Sequence, residues 1–433
     1  MVESTYKEIF RIALPSIVAN ITVPLLSLVG VAIVGHLGET AYIGSIAVAG
    51  ILFNMVYWLF GFLRMGTSGL TAQSFGKEDF HQCRAHLLRS LSIGIVAGLL
   101  LILLQKPILS TALYFIEAGE DVEKYASLYF QICIWGAPAT LGLYSLNGWF
   151  IGMQNSRLPM FISIFQNLVN IGMSLLMVFV FHWKIEGVAI GALSAQYTGF
   201  FLALFATERV MPIWNSLRVQ DFWDKGEFYH FLSINKDIFF RTLCIISVTV
   251  YFTSTGAMYG DTILAVNTLL MQLFTLYSYI MDGFAYAGEA IVGKHYGAQN
   301  FTAVRATIRK LFALSAVACG AFTILYAVGG KGFLGLLTND QEVITASTDY
   351  FVWALLIPVM GMSAFILDGI SVGITATRAM LRSILWSSAL FFTLYLSTRM
   401  LWGNHTLWLS FLSYLCARGI ILGILLKPRL SRV

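Results

Sequence analysis

Twelve apolar runs, each close to the thickness of a bilayer, alternate with short polar breaks along the chain of 433 residues. They fall at 9–34, 41–66, 87–105, 124–148, 158–182, 187–206, 230–257, 263–290, 308–329, 346–374, 381–402 and 405–426. A helix that crosses the hydrocarbon core needs about 20 apolar residues, so the pattern predicts twelve membrane-spanning α-helices. The longest polar stretch, 207–230, contains WNSLRVQDFWDKGEF and lies at mid-chain. It predicts a six-helix lobe over 1–206, a cytoplasmic linker over 207–229 and a second six-helix lobe over 230–433.

The two halves repeat one another. NGWFIG at 147–152, followed by Arg157, matches DGISVG at 368–373, followed by Arg378, at an offset of 221 residues. Gly61-Phe62 and Gly66 match Gly283-Phe284 and Gly288 at 222, and Phe80 and Arg84 match Phe301 and Arg305 at 221. Separate places sharing nearly one offset are rarely accidental. Six spans per repeat make the halves parallel, the arrangement that transporters use to rock around a site. A channel or a membrane enzyme requires no such pairing.

Composition agrees. Only 11% of residues are charged, 58% are hydrophobic and mean hydropathy is +0.77, whereas soluble domains carry about 25% charge. The net charge of +5 does not indicate nucleic acid, because the basic residues cluster between spans. With the N-terminus placed in the cytoplasm, eighteen of the 27 lysines and arginines fall inside and five outside. That bias predicts both termini in the cytoplasm. No cleavable signal peptide is visible before the first run. Cys83, Cys133, Cys244, Cys319 and Cys416 lack metal-ligand spacing and read as free thiols or small apolar fillers.

LVGVAIVGHLG at 28–38, GFLRMGTSGLTAQSFG at 61–76, NKDIFFRTL at 235–243, DGFAYAGEAIVG at 282–293 and DGISVGITATR at 368–378 together resemble the MATE (multidrug and toxic compound extrusion) transporters, in particular their DinF-like branch. The resemblance spans essentially the whole chain. It implies an all-α membrane protein whose two parallel, pseudo-symmetric six-helix bundles form a V. It also implies a monomer in a bacterial plasma membrane that exports amphipathic organic cations in exchange for protons or sodium ions. No cofactor beyond that coupling ion is expected. One position departs from the family: the first-helix acid that serves there as a protonation site is Gly30 here.

Charge inside lipid costs several kcal/mol unless paired or hydrated, so intramembrane ionisable groups are the functional candidates. The first six spans hold no acid in their interiors; Glu8, Glu39 and Glu186 sit at span ends. The later spans hold Asp237, Asp282, Glu289 and Asp368. Asp368 reads as the proton or sodium switch, or as a structural acid bonded to a neighbouring helix. Asp282, two helical turns from Glu289, reads as a partner in that site or as a capped acid. Glu289, near Lys294, reads as a coupling group or as a solvated one. Asp237 and Arg241 stand at i, i+4 and predict a structural ion pair. Arg64 reads as a gate to an acid of the other half, or as a side chain snorkelling to the interface. Candidate cavity walls are Asn54, Tyr57, Met65, Asn147, Met271, Phe274, Tyr277 and Tyr286, since aromatic faces attract organic cations and methionines adapt to varied shapes. Asn147 stands out as the repeat counterpart of Asp368. Trp402 and Trp408 read as interfacial anchors.

No GxxxxGK[ST], HExxH or GxSxG motif occurs, and the glycine spacings lie inside spans, so neither a fused ATPase nor an enzyme is indicated. His36 and His182 are isolated. The competing reading is a flippase for a lipid-linked precursor, whose phosphate would call for basic side chains in the span interiors.

Overall fold

The computed structural model describes residues 6–35, 39–115, 119–212, 225–338 and 340–431. They are almost wholly helical, with no strand among them. The α-helices are α1 (Tyr6–Gly35), α2 (Thr40–Leu59), α3 (Phe62–Gly76), α4 (Phe80–Leu103), α5 (Gln105–Phe115), α6 (Glu120–Cys133), α7 (Ala137–Gly152), α8 (Arg157–Leu175), α9 (Ile185–Val210), α10 (Lys225–Ala257), α11 (Asp261–Ala287), α12 (Gly293–Gly297), α13 (Phe301–Leu337), α14 (Gln341–Gly373), α15 (Thr377–Trp402) and α16 (Asn404–Ser431). His36 lies outside the described residues, as do 213–224 of the expected linker.

Ten helical stretches among the described residues are long and apolar enough to cross a membrane, and each falls on one of the twelve expected runs. The first expected run falls on α1. The run 124–148 departs from expectation: α6 and α7 share it, separated by a single 3-10 turn at Ile134–Gly136. Pro138 accounts for the break. Its ring fixes φ and removes the N–H that a continuous helix would need, whereas at the first turn of a helix that N–H is not missed. The break also seats α4: a Cβ on Gly98 would stand 2.4 Å from the Pro138 Cα.

The chain forms two compact units, Leu14–Asn235 and Met1–Ala13 with Lys236–Val433. These bounds differ from the expected lobes at both ends. The start of α1 belongs with the C-terminal unit, where Phe10 meets the Phe284 ring edge-on at 6.4 Å and the Lys310 ammonium lies 5.7 Å from the Tyr6 ring.

Each unit is built around one helix. In the N-terminal unit α7 packs against α3, α4 and α9; in the C-terminal unit α14 packs against α11, α13 and α16. These are the same partners displaced by one repeat. The matched glycines explain the register. A Cβ on Gly148 would stand 2.2 Å from the Arg64 carbonyl oxygen, and one on Gly369 would stand 2.3 Å from that of Ala285. A Cβ on Gly152 would likewise stand 2.8 Å from the Ser68 carbonyl oxygen, and one on Gly373 would stand 2.9 Å from that of Glu289. Glycine at these points lets backbones touch. Lipid tails are as apolar as leucine, so this close packing, with hydrogen bonds between helices, is what holds a bundle together in a membrane.

Such bonds occur in both units. The Trp149 indole donates to the Cys83 carbonyl at 2.9 Å, and Ser90 bonds Ser145 at 2.8 Å. Trp408 overturns the expectation of an interfacial anchor: it is fully buried, and its Nε1 donates to Asn267 Oδ1 at 2.8 Å. Asn404 Nδ2 donates to the same oxygen at 2.9 Å, and the indole supplies its second donor from within an apolar ring. Trp402, by contrast, is 63% exposed.

Candidate functional site

Among the described residues the buried carboxylates are Asp237, Glu289 and Asp368, and all belong to the C-terminal unit. Asp368 lies on α14, five residues before its end, and is 6% exposed. Two guanidiniums converge on it. Arg241 on α10 and Arg418 on α16, each 7% exposed, both direct Nη2 at Asp368 Oδ2. Three helices are therefore joined through one carboxylate oxygen. Asp282, half-buried on α11, exerts a Coulombic pull on Arg418.

The ion pair expected between Asp237 and Arg241 is not formed. Arg241 reaches across to Asp368, while Asp237 accepts a hydrogen bond from Thr377 Oγ1 at 3.0 Å. The i, i+4 spacing puts both on one helix face, yet a long guanidinium can instead meet the acid of a facing helix, and Thr377 is there to satisfy Asp237. Arg418 was missed as a site residue. Its signal was present, a lone base inside the apolar run LSYLCARGIILG.

Glu289 is not a solvated interfacial acid. It is 1% exposed, within a π-helical turn at Gly288–Val292 that follows α11. Such turns insert one residue into a helix and recur at functional sites. The backbone of this one is pressed against α14 at Gly373.

The other candidates divide by unit. In the C-terminal unit Tyr277 is fully buried, and its hydroxyl donates to the Pro358 carbonyl at 2.9 Å. It therefore joins α11 to α14 at the proline instead of presenting a free face. Phe274 lies 5.4 Å from the Phe411 ring, and Met271 and Tyr286 are half-buried. In the N-terminal unit Tyr57 is buried and stacks on Phe53 at 5.4 Å, Asn54 is exposed, and Met65 is half-buried. Arg64 is half-buried, with its charge felt at Tyr144. Asn147 is also half-buried, and its buried Oδ1 accepts no hydrogen bond. So the structure joins Asp368 to Arg241 and adds Arg418, with Asp282 acting on Arg418 through space, while Asp237 bonds Thr377 instead.

An all-helical, multi-pass chain built as two repeats, with charge buried inside a bundle, has the architecture of a membrane transporter. The MatE family profile matches residues 15–176 and 238–395. The chain is 33% identical over 421 residues to DNA damage-inducible protein F of Escherichia coli, spanning 97% of this chain and 91% of that protein. It is 24% identical over 386 residues to a probable multidrug resistance protein, NorM, of Bradyrhizobium diazoefficiens, spanning 84% and 78%. A crystal structure of the Vibrio cholerae MATE transporter VcmN in its bent form shares the fold with a TM-score of 0.85 at 16% identity, over 98% of this chain and 97% of that one. The chain belongs to the MatE family, whose members are efflux transporters.

Proposed function

We propose that this protein is an ion-coupled exporter of amphipathic organic cations, driven by protons or sodium ions across a bacterial plasma membrane, with both termini in the cytoplasm. The observation that supports it most is Asp368, a buried carboxylate whose charge is neutralised by two guanidiniums. A proton or sodium ion arriving at Asp368 competes with those guanidiniums and changes how three helices are joined. Asp282 and Glu289 are the further carboxylates of the C-terminal unit that a coupling ion or a cationic substrate would meet. Binding of one lowers affinity for the other, and that coupling is reciprocal whatever motion carries it.

The test is counterflow of a fluorescent cation in proteoliposomes, with pH and sodium gradients imposed separately. One gradient should drive accumulation, and Asp368→Asn should abolish that drive while the protein still assembles. Undiminished gradient-driven export by Asp368→Asn would remove this residue from the mechanism.

The flippase reading gains support from a specific feature. Arg241 and Arg418 are buried bases of the kind a phosphate-bearing headgroup would need.

A further inference from the structure

Arg418 brings more donors to Asp368 than that acid's one shared oxygen accepts. A guanidinium is a planar fork of five N–H donors, matched to two oxygens of a carboxylate or phosphate at once. Here two forks share a single oxygen, Asp368 Oδ2. The Arg418 Nε is buried and has no hydrogen-bond partner. Asp282 compensates charge at Arg418 through space without filling that donor. Buried donors without acceptors are costly and uncommon in folded proteins. The resident acid leaves the Arg418 Nε donor without an acceptor, and a second anionic group would supply one. Nothing similar stands at the repeat position in the other unit, where Asn147 replaces the acid.

We propose that Arg241 and Arg418 form a binding site for an anionic group, a carboxylate or phosphate on an amphipathic molecule, and that Asp368 is the resident anion such a ligand displaces. This deepens the transport reading and rests on it: the exported or flipped molecule carries an anionic group, alone or beside a cationic one. The group comes from a free amphiphile or from a lipid headgroup.

The test is equilibrium binding to the full-length protein in phosphatidylcholine nanodiscs, followed by tryptophan fluorescence, with empty nanodiscs as blank. The probes are dodecanoate, dodecyl phosphate and, as charge-reversed control, dodecyltrimethylammonium. The two anions should bind. Asp368→Asn, which removes the resident competitor, should tighten them about tenfold, and Arg418→Gln should weaken them about tenfold or more. A gain of affinity cannot come from misfolding, so Asp368→Asn keeps the test decisive if Arg418→Gln assembles poorly. Replacing part of the lipid by phosphatidylglycerol separates the sources. Competition with dodecyl phosphate in the wild type assigns the site to a headgroup; equal affinity in both lipids assigns it to a free amphiphile. Anion affinity that is the same in wild type and Asp368→Asn overturns the site, even where cation counterflow persists. Loss of gradient-driven counterflow with anion binding intact would instead remove the transport reading and leave the site standing.

Discussion

At the scale of single residues, the useful distinction is between charge that a bundle hides and charge that it uses. Taking one partner from a buried ion cluster leaves the other uncompensated, which is why such removals cost more than the pair contributes. Arg418→Gln should therefore destabilise the protein by about 1–3 kcal/mol, the cost of an unsatisfied buried polar group, since Arg241 still compensates Asp368 in part. Thermal melting in detergent measures it. The double variant Arg418→Gln, Asp368→Asn should recover some of the loss, and a purely additive result would deny that the two side chains interact. The tryptophans give a second contrast. Trp408→Phe removes a buried donor from Asn267 and should lower stability by about 1 kcal/mol. Trp402→Phe, at an exposed position, should change melting little. Sequence alone placed both at the interface, because hydropathy reports depth along a run and says little about which helix face turns inward. Asp368 was legible for a simpler reason, being an acid in an apolar run. Its partner Arg418, fifty residues further on in another helix, was not, since spacing reveals only partners on the same helix.

At the scale of elements, most of the fold could be read from the chain because lipid imposes one length on every span. What could not be read was where a span is broken or tightened. Pro138 splits one expected helix, and Gly288–Val292 winds as a π turn. Apolar runs carry no mark of either event beyond the proline itself. The glycine matches at an offset of 221 residues fared better, for they are the points where α7 meets α3 and α14 meets α11. A methyl group there forces backbones apart. Gly148→Ala and Gly369→Ala should each cost about 1–3 kcal/mol, the range for overpacking a close contact, read as a fall in melting temperature. Gly30→Ala is the control. A Cβ at Gly30 meets nothing within 4 Å, and alanine is the better helix former by about 1 kcal/mol, so melting should hold or rise. A fall at Gly30 equal to those at Gly148 and Gly369 would run against helix propensity and would mean that close approach is not what sets the other two losses apart.

At the scale of the whole molecule, the two repeats share a fold but not a charge pattern. The C-terminal unit contains every buried carboxylate among the described residues, while the buried Arg89 and His86 belong to the N-terminal unit. Ancestral symmetry therefore survives in helix contacts and has been lost in chemistry, which suggests that ion binding is concentrated in one unit. Gly30→Asp tests this. The substitution returns an acid to the first helix at a place with room for it, and glycine and aspartate differ little in helix propensity. Assembly should survive, because the new carboxyl can stay protonated where it is dry or ionise where water reaches it. If the N-terminal unit can reach the coupling ion, the variant gains a second titrating site. Counterflow should then depend more steeply on an imposed pH gradient than in the wild type, at equal amounts of protein. An unchanged dependence, with Asp368→Asn still abolishing the drive, would assign ion coupling to the C-terminal unit alone. The N-terminal repeat would then serve as a packing and substrate-contact partner without a proton of its own.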